Sequence, residues 1–414
     1  MKKRLLFNDI RKHLDKKQIT LILGARQTGK TTLLKQVQSS LADPDRPATY
    51  ISLEDKEILT AFNQRPDNLF QFIPPLENGK RQFIFIDEVQ YLDDPSNFLK
   101  YLYDEHWEQL KFVVTGSSGF YIDQKFKDSL AGRKRIFHLP TMGFQEFLIF
   151  KDREEIAKYA HANFLPLAYR PELQVLLSEY LIYGGYPDVV LEPSPTEKQG
   201  ILKELANSYV KKDALEAAVL YPDAYMKILR FIAGNIGGQL NINTLSNDLK
   251  IEFKTVEAYL RLMEKSFHIS LVTPFARNVS TELRKMKKAY FNDLGLRNYF
   301  VNNFNPIRLN DDRGELLENY VFRLLNDTFD QEDIRYWRTQ KKQEIDFIIK
   351  EKQALEVKFS QDLYKPTKFK FFQTKYPDIP LQLIHFDNVL EFNPITVTLQ
   401  NSEQRTKNPK TLTL

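Results

Sequence analysis

The sequence predicts an α/β protein in two parts, with a mainly parallel sheet near the N-terminus, helical segments in the middle and a second α/β domain near the C-terminus. Three observations carry this. Short apolar runs alternate with amphipathic stretches over residues 1–150. A complete G-x-x-x-x-G-K-[ST] loop lies between the first run and the helical stretch that follows it. Beyond residue 312, acidic residues recur at alternating positions of adjacent apolar runs. Strands that alternate with helices need crossover connections and so build a parallel sheet.

The runs of the first domain, 1–150, are Ile19 to Leu23, Ala48 to Leu53, Phe83 to Ile86, Lys111 to Thr115 and Arg135 to Leu139, five predicted strands. Residues 151–215 are helical in pattern and broken at Tyr183-Gly-Gly-Tyr-Pro187, where proline ends one helix and restarts the next; this suits a helical lid. Residues 216–275 hold three helical patterns and then the β-prone run Ile269 to Phe275, the order of a winged helix. A basic connector, 276–311, carries the run Arg284 to Lys288. Residues 312–400 read as helix, strand, strand, strand, helix, and the polar segment 401–414 as a disordered tail.

Composition sets limits on chemistry. With 414 residues and 42% hydrophobic content, the chain can bury more than one core. It has no cysteine, which excludes disulfides and thiolate sites, and its six histidines show no paired ligand spacing, so structural zinc is not expected. A net charge of +5 permits contact with a polyanion without demanding it. The N-terminal Met-Lys-Lys-Arg is followed by no apolar leader, and no run approaches spanning length, so the expectation is a cytoplasmic protein with no membrane partner.

The loop Gly24, Ala25, Arg26, Gln27, Thr28, Gly29, Lys30, Thr31, followed by Thr32, is where ATP is expected. Its glycines let the backbone wrap the phosphates, and the N–H groups of the following helix face the anion. Lys30 reaches the β and γ phosphates, and the Thr31 hydroxyl holds Mg²⁺. The run ending in Asp87-Glu88 puts a metal-ordering carboxylate and a water-activating one at the same sheet edge. Ser117, with Ser118, follows the next strand and could sense the γ-phosphate or simply form a turn. Arg133 could reach a neighbouring subunit's ATP in a homo-oligomer, or remain a surface arginine. Glu54 and Asp55 read as helix-capping acids.

Taken in order, the phosphate loop, Asp87-Glu88, Thr115-Gly-Ser-Ser118, Leu130-Ala-Gly-Arg133 and Gly184-Gly-Tyr-Pro187 resemble the AAA-plus ATPases of bacteria and archaea that carry a C-terminal nuclease-like domain. The resemblance implies an AAA-plus parallel sheet with a helical lid. It also implies that Asp87 and Glu88 are the Walker B pair, that Ser117 or Ser118 is the first sensor, and that Pro187 lies near the adenine.

In the last helix of the winged-helix region, Val256, Leu260 and Met263 share a face that packs inward, leaving Lys254, Thr255, Glu257, Arg261 and Lys265 outside. Such a helix can enter a DNA major groove. Glu257 opposes phosphate, and winged helices also serve as protein contacts or spacers, so both readings stand.

Further on, Glu318 shares a helical stripe with Val321, Phe322 and Leu325, and a carboxylate on an apolar stripe requires a partner. The runs Glu344 to Ile349 and Ala354 to Phe359 read as paired strands with Ile345, Phe347, Leu355, Val357 and Phe359 inward. That places Asp346 and Glu356 on the other face, able to hold Mg²⁺, with Lys358 beside them to orient water or stabilise charge on phosphorus. An exposed hairpin with a Glu and Lys pair would have the same pattern. The set resembles the PD-(D/E)XK restriction-endonuclease-like superfamily, which implies that Asp346, Glu356 and Lys358 are catalytic on Mg²⁺ or Mn²⁺, with Glu318 an additional acid. Tyr336-Trp-Arg338 and Tyr364 to Phe372 interleave bases with aromatics, as a nucleic-acid groove would, and as core aromatics beside a charged face would.

Three functions follow from the sequence: an ATP-controlled, metal-dependent DNA-processing enzyme, a nucleotide-switched regulatory or scaffold ATPase that does not cut, and an oligomeric DNA-translocating motor.

Overall fold

The structure, a computed structural model, describes residues 2–41, 46–75, 79–116, 130–210, 219, 221–275 and 286–396. Ser117, Ser118, the basic residues Arg284 and Lys285, and the tail 401–414 lie outside the described residues.

The first part runs α1 (Leu6–His13), β1 (Ile19–Leu23), α2 (Lys30–Ser39), β2 (Ala48–Ser52), α3 (Lys56–Gln64), β3 (Gln82–Asp87), α4 (Pro95–His106), β4 (Leu110–Gly116) and β5 (Lys134–His138). All five expected strands are present. They pair in parallel in the order β2-β3-β4-β1-β5. Because helices cover both faces, β1, β3 and β4 are buried along their whole length. Ile84, Ile86, Phe112 and Val114 pack on one side with Phe62, Phe98 and Leu102, while Ile22, Phe85 and Val113 pack on the other with Phe7, Ile10 and Leu33. Parallel strands deliver all their C-terminal ends to one edge, so Leu23, Asp87 and Gly116, the last residues of β1, β3 and β4, lie along it. Asp55 caps α3, accepting the N–H groups of Glu57 at 2.9 Å and Ile58 at 3.3 Å.

The chain continues through α5 (Phe144–Phe150), α6 (Glu154–Ala157), α7 (Arg170–Tyr183), α8 (Pro187–Leu191) and α9 (Pro195–Glu204), which runs into a π-helical turn over Leu205–Val210. Next come α10 (Pro222–Ala233), α11 (Ile242–Leu249), α12 (Phe253–Lys265), β6 (Ile269–Pro274) and β7 (Lys288–Phe291). On α12, Val256, Leu260 and Met263 are buried as expected, while Lys254 and Arg261 face solvent. The last part is α13 (Leu294–Val301), α14 (Arg313–Asn326), β8 (Ile334–Arg338), β9 (Glu344–Ile349), β10 (Gln353–Val357), α15 (Lys370–Lys375) and β11 (Leu381–Ile384).

Two features differ from the sequence expectation. The stretch 276–311 is not only a connector, because it supplies β7 and α13. Its basic run ends in Lys288-Ala-Tyr-Phe291, and that β-prone end pairs antiparallel with β6. In turn β6 pairs parallel with β8, so the second sheet is six-stranded, in the order β11-β10-β9-β8-β6-β7. The lid, the three helices of 216–275 and the C-terminal sheet are also not separate cores. Phe144, Tyr180, Ile228, Met263, Tyr290, Tyr320 and Phe347 belong to one continuous cluster. Each of these segments has an apolar face too large for its own length to cover, so they cover one another.

The aromatics interleaved with bases resolve into core and surface. Tyr336, Trp337, Phe369 and Phe372 are buried, whereas Lys365, Lys368 and Lys370 are exposed.

Candidate functional site

The phosphate loop leaves β1 at Gly24, where a Cβ atom would stand 2.1 Å from the carbonyl oxygen of Leu139; only glycine fits. Gln27 and Gly29 take positive φ angles of 61° and 88°, which fold the loop back on itself. Gly29 then starts α2 with no side-chain cap, and a helix start of this kind is where an anion can be held by backbone N–H groups. The buried Lys30 ammonium points into the loop, donating to the main-chain oxygens of Gly24 at 3.1 Å and Ala25 at 2.7 Å.

Asp87 gathers three hydroxyls at the sheet edge. Its Oδ2 accepts from Thr31 at 2.7 Å and from the Tyr50 phenol at 2.9 Å, and its Oδ1 pairs with the Thr115 hydroxyl. Burial and the Asp87 charge push the Tyr50 phenol above its usual range. Glu88 sits in a left-handed conformation, φ 59°, with its N–H on Thr115 Oγ1 at 3.0 Å and its carboxylate held by the Gln90 amide. The sequence reading missed Tyr50 and gave Thr115, named only within a motif, no part in holding Asp87. They stand on β2 and β4, the neighbours of β3, and only the strand order brings them to Asp87.

Pro187 opens α8 beside the loop: a Cβ placed on Gly29 would lie 4.0 Å from its Cγ. Arg133 precedes β5, at the edge of the sheet opposite the phosphate loop, and pairs there with Asp104 of α4 at 2.6 Å. Arg4, which no motif signals, braces the loop from behind. It donates to Thr28 O at 2.6 Å and forms a buried pair with Glu146 at 2.8 Å.

A second cluster lies on the C-terminal sheet, built from α14, β7, β9 and β10. β9 and β10 are antiparallel with Leu355 opposite Phe347, so the same register sets Glu356 opposite Asp346. This face is not open, as the hairpin alternative would have it; Ile348 and Ala354 lie under Phe369 and Phe372. The sequence-predicted residues do converge. Lys358 Nζ contacts Glu356 Oε1 and stands 3.8 Å from Asp346 Oδ2, which also accepts the Val357 N–H at 2.8 Å. Glu356 Oε2 is buried and has no hydrogen-bond partner among the described residues.

Glu318 finds the partners its apolar stripe requires in Tyr290, whose hydroxyl donates at 2.7 Å, and Lys288 at 3.2 Å. Gly237, at φ 69°, makes room for it, since a Cβ there would lie 2.7 Å from Glu318 Oε1. Lys288 also meets Glu344 at 2.6 Å and Asp346 at 3.7 Å. The sequence reading placed this lysine in a basic connector, and its carboxylate partners arrive only with the fold.

Burial and the nearby Asp346 charge push Glu356 up to about 8 and Glu318 up to about 7, against the opposing pull of the lysines. Burial alone would lower Lys288, yet Glu318, Asp346 and Glu344 together hold it well above the usual lysine range. A divalent ion suits the Asp346 and Glu356 side, where the orphaned Glu356 oxygen lacks a donor or cation. Among the described residues, no group of three or more His, Asp or Glu side chains is set to hold a metal.

Residues 16–148 match the model of a family described as AAA domain. Residues 174–307 and 313–404 match two families described as domains of unknown function, DUF8612 and DUF4143. The chain is similar to an uncharacterized protein of Methanocaldococcus jannaschii, 25% identical over 403 residues that cover 95% of this chain and 86% of that protein. It is also similar to an uncharacterized protein of Haemophilus influenzae, 26% identical over 321 residues covering 75% of this chain and 73% of the relative. Among solved structures it resembles Thermotoga maritima RuvB at 16% identity and a TM-score of 0.33, over 68% of this chain and 92% of that one, a likeness too slight to bear on fold or activity.

The phosphate loop, the parallel sheet and the family match together define the class: the N-terminal part is a nucleotide-binding P-loop domain. More particularly, it is an ATPase domain of the AAA type. Among the described residues, no helix is long and apolar enough to cross a membrane.

Proposed function

We propose that the chain is an ATP-controlled, metal-dependent DNA-processing enzyme, in which the nucleotide state of the AAA domain governs access of DNA to a C-terminal nuclease site. The observation that carries this reading is the meeting of Asp346, Glu356 and Lys358, with Glu356 Oε2 buried and unpartnered.

In the ATPase site, Lys30 exchanges the carbonyls of Gly24 and Ala25 for the β and γ phosphates, and Thr31 and Asp87 would hold Mg²⁺. Glu88 takes the proton of the attacking water. The remaining loop residues, Arg26, Gln27, Thr28 and Thr32 among them, line the phosphates, Pro187 borders the adenine, and Ser117 reads the terminal phosphate. Arg133 serves a neighbouring subunit's ATP once it leaves Asp104.

In the C-terminal site, Asp346 and Glu356 would hold Mg²⁺ or Mn²⁺, with Glu318 a supporting acid. The chemistry such an ion would supply there is activation of a water and neutralisation of phosphate charge. Lys358 would orient the attacking water, and the exposed face of α12 contacts duplex DNA.

A second reading is a nucleotide-switched regulatory or scaffold ATPase that binds DNA or protein without cutting. The Lys288 ammonium favours it, because it already pairs with three of the carboxylates.

The test is incubation with single-stranded, duplex and branched DNA in Mg²⁺ or Mn²⁺, with and without ATP. Cleavage lost in Lys358→Ala and altered in Lys30→Ala supports the coupled enzyme. ATP turnover with no cleavage of any substrate selects the regulatory ATPase.

A further inference from the structure

We infer that Lys288 is an internal cation that fills one half of the C-terminal acidic cluster and limits that cluster to a single divalent ion, held between Asp346 and Glu356. The inference rests on the metal-dependent reading proposed above.

Lys288 is 1% exposed, so it cannot reach a substrate. Its stem rises from β7, which pairs with β6 inside the second sheet, and its ammonium lies 5.4 Å from the centre of the Tyr336 ring. Around that ammonium stand Glu344 Oε1 at 2.6 Å, Glu318 Oε1 at 3.2 Å and Asp346 Oδ1 at 3.7 Å. These three carboxylates come from two elements, α14 and β9, and converge on one positive charge. Charge neutralisation of this kind is what a metal ion would otherwise provide.

The two oxygens of Asp346 divide the cluster. Oδ1 faces Lys288; Oδ2 faces the other way, towards Lys358 and the Val357 N–H. On that second side Glu356 Oε2 is buried and lacks a partner among the described residues, so this is where coordination is left unfilled. On the first side, Glu318 is already satisfied by Lys288 and Tyr290, and Glu344 by Lys288 and Arg338. Two-ion phosphodiester chemistry places its ions about 3.5–4 Å apart. Here an ammonium fixed to the backbone of β7 takes the place of one of them. Lys288 is therefore a positioning residue: it orients Asp346 from behind and keeps the acidic supporting groups from drawing in a second ion.

The experiment is Mn²⁺ titration of the nucleotide-free full-length chain, followed by electron paramagnetic resonance. An Asp87→Asn background silences the metal position of the ATPase site. The expected result is one bound Mn²⁺ that Glu356→Gln removes, and two in Lys288→Met. Because Lys288→Met leaves three carboxylates facing one another, one buried and two half-buried, its Tm is measured alongside; Mn²⁺ is expected to raise it by more degrees than it raises that of the Lys288-intact chain. With Lys288 in place, two ions that both depend on the cluster would overturn the inference and leave the metal-dependent reading standing. A Lys288→Met chain that still binds one ion would overturn it as well. If Glu356→Gln removes no ion at all, the metal-dependent reading fails and takes the inference with it.

Discussion

Asp293 Oδ2 accepts the Gly185 N–H at 2.8 Å, tying the turn ahead of α8 to the start of α13. The other oxygen of the same carboxylate caps α13 through the Leu296 N–H at 3.0 Å. The turn is built for this contact. A Cβ on Gly184, at φ 74°, would lie 2.3 Å from Asp293 Oδ1, and one on Gly185 would lie 2.1 Å from Met142 O. Pro187, two residues on, stands beside the phosphate loop, while β7, just before Asp293, carries Lys288 and Tyr290 into the acidic cluster. One short segment therefore touches the surroundings of both sites.

Asp293→Ala strips the acceptor from two buried N–H groups, each costing about 1–3 kcal/mol when left unpaired. Burial raises the Asp293 carboxyl above its ordinary range, so part of that loss is offset by removing an unfavourably placed charge. The expected net destabilisation is about 2 kcal/mol in urea unfolding, with weakened ATP binding as the turn carrying Pro187 loosens. Unchanged ATP affinity in a folded Asp293→Ala protein would remove the turn from the nucleotide site.

Arg4 and Glu146 form a buried ion pair at 2.8 Å, and Arg4 also donates to Thr28 O inside the phosphate loop. Arg4→Ala leaves Glu146 buried without its cation, a change that costs about 3–5 kcal/mol in comparable pairs. Arg4→Met with Glu146→Leu should recover much of the stability, since both charges go together. It should not recover nucleotide affinity if the brace on Thr28 matters. Denaturant midpoints and a fluorescent-nucleotide titration separate the two effects.

What was legible in the sequence followed local rules. The five strands, the phosphate loop and Asp87-Glu88 were readable because apolar runs, glycine positions and acids after a strand are short-range signals. That Asp346 and Glu356 share one face was readable because a strand repeats every two residues, while their role with Lys358 came only from the resemblance. Lys288 was not, since a lysine ending a basic run looks like a solvated linker until α14 and β9 bring their carboxylates to it. The contacts of Tyr50 and Thr115 escaped for the same reason: their partner, Asp87, is set by strand order. The merging of the lid with the C-terminal sheet was also hidden, because an apolar helix face does not say which other face will cover it.

Glu88→Gln keeps the size and hydrogen-bonding reach of the side chain but removes its capacity to take a proton. ATP binding should persist, and turnover should fall at least about 10²-fold, the usual contribution of a general base. Asp87→Asn acts differently, because Asp87 holds Thr31, Tyr50 and Thr115 together; it should weaken Mg²⁺-dependent binding itself. Phosphate release and equilibrium nucleotide binding, measured on the same preparations, discriminate the two roles. Equal turnover in Glu88→Gln and the unaltered chain would remove Glu88 from the chemistry.

Glu356 gives the pH dependence. Burial, with Asp346 beside it, lifts its carboxyl from the ordinary range to about 8, so the folded chain binds a proton there more tightly than the unfolded chain does. The sign follows from linkage: this group's contribution to stability is fully present below the unfolded value near 4.5 and is lost as pH rises towards 8. In EDTA, the urea midpoint of the unaltered chain should fall from pH 6 to pH 8.5, and Glu356→Gln, which has no proton to lose, should flatten that fall. Mn²⁺ should reverse it, because an ion between Asp346 and Glu356 favours the ionised form that high pH supplies, so metal affinity should climb over the same interval. A urea midpoint that falls equally in both proteins would mean that the loss comes from another group.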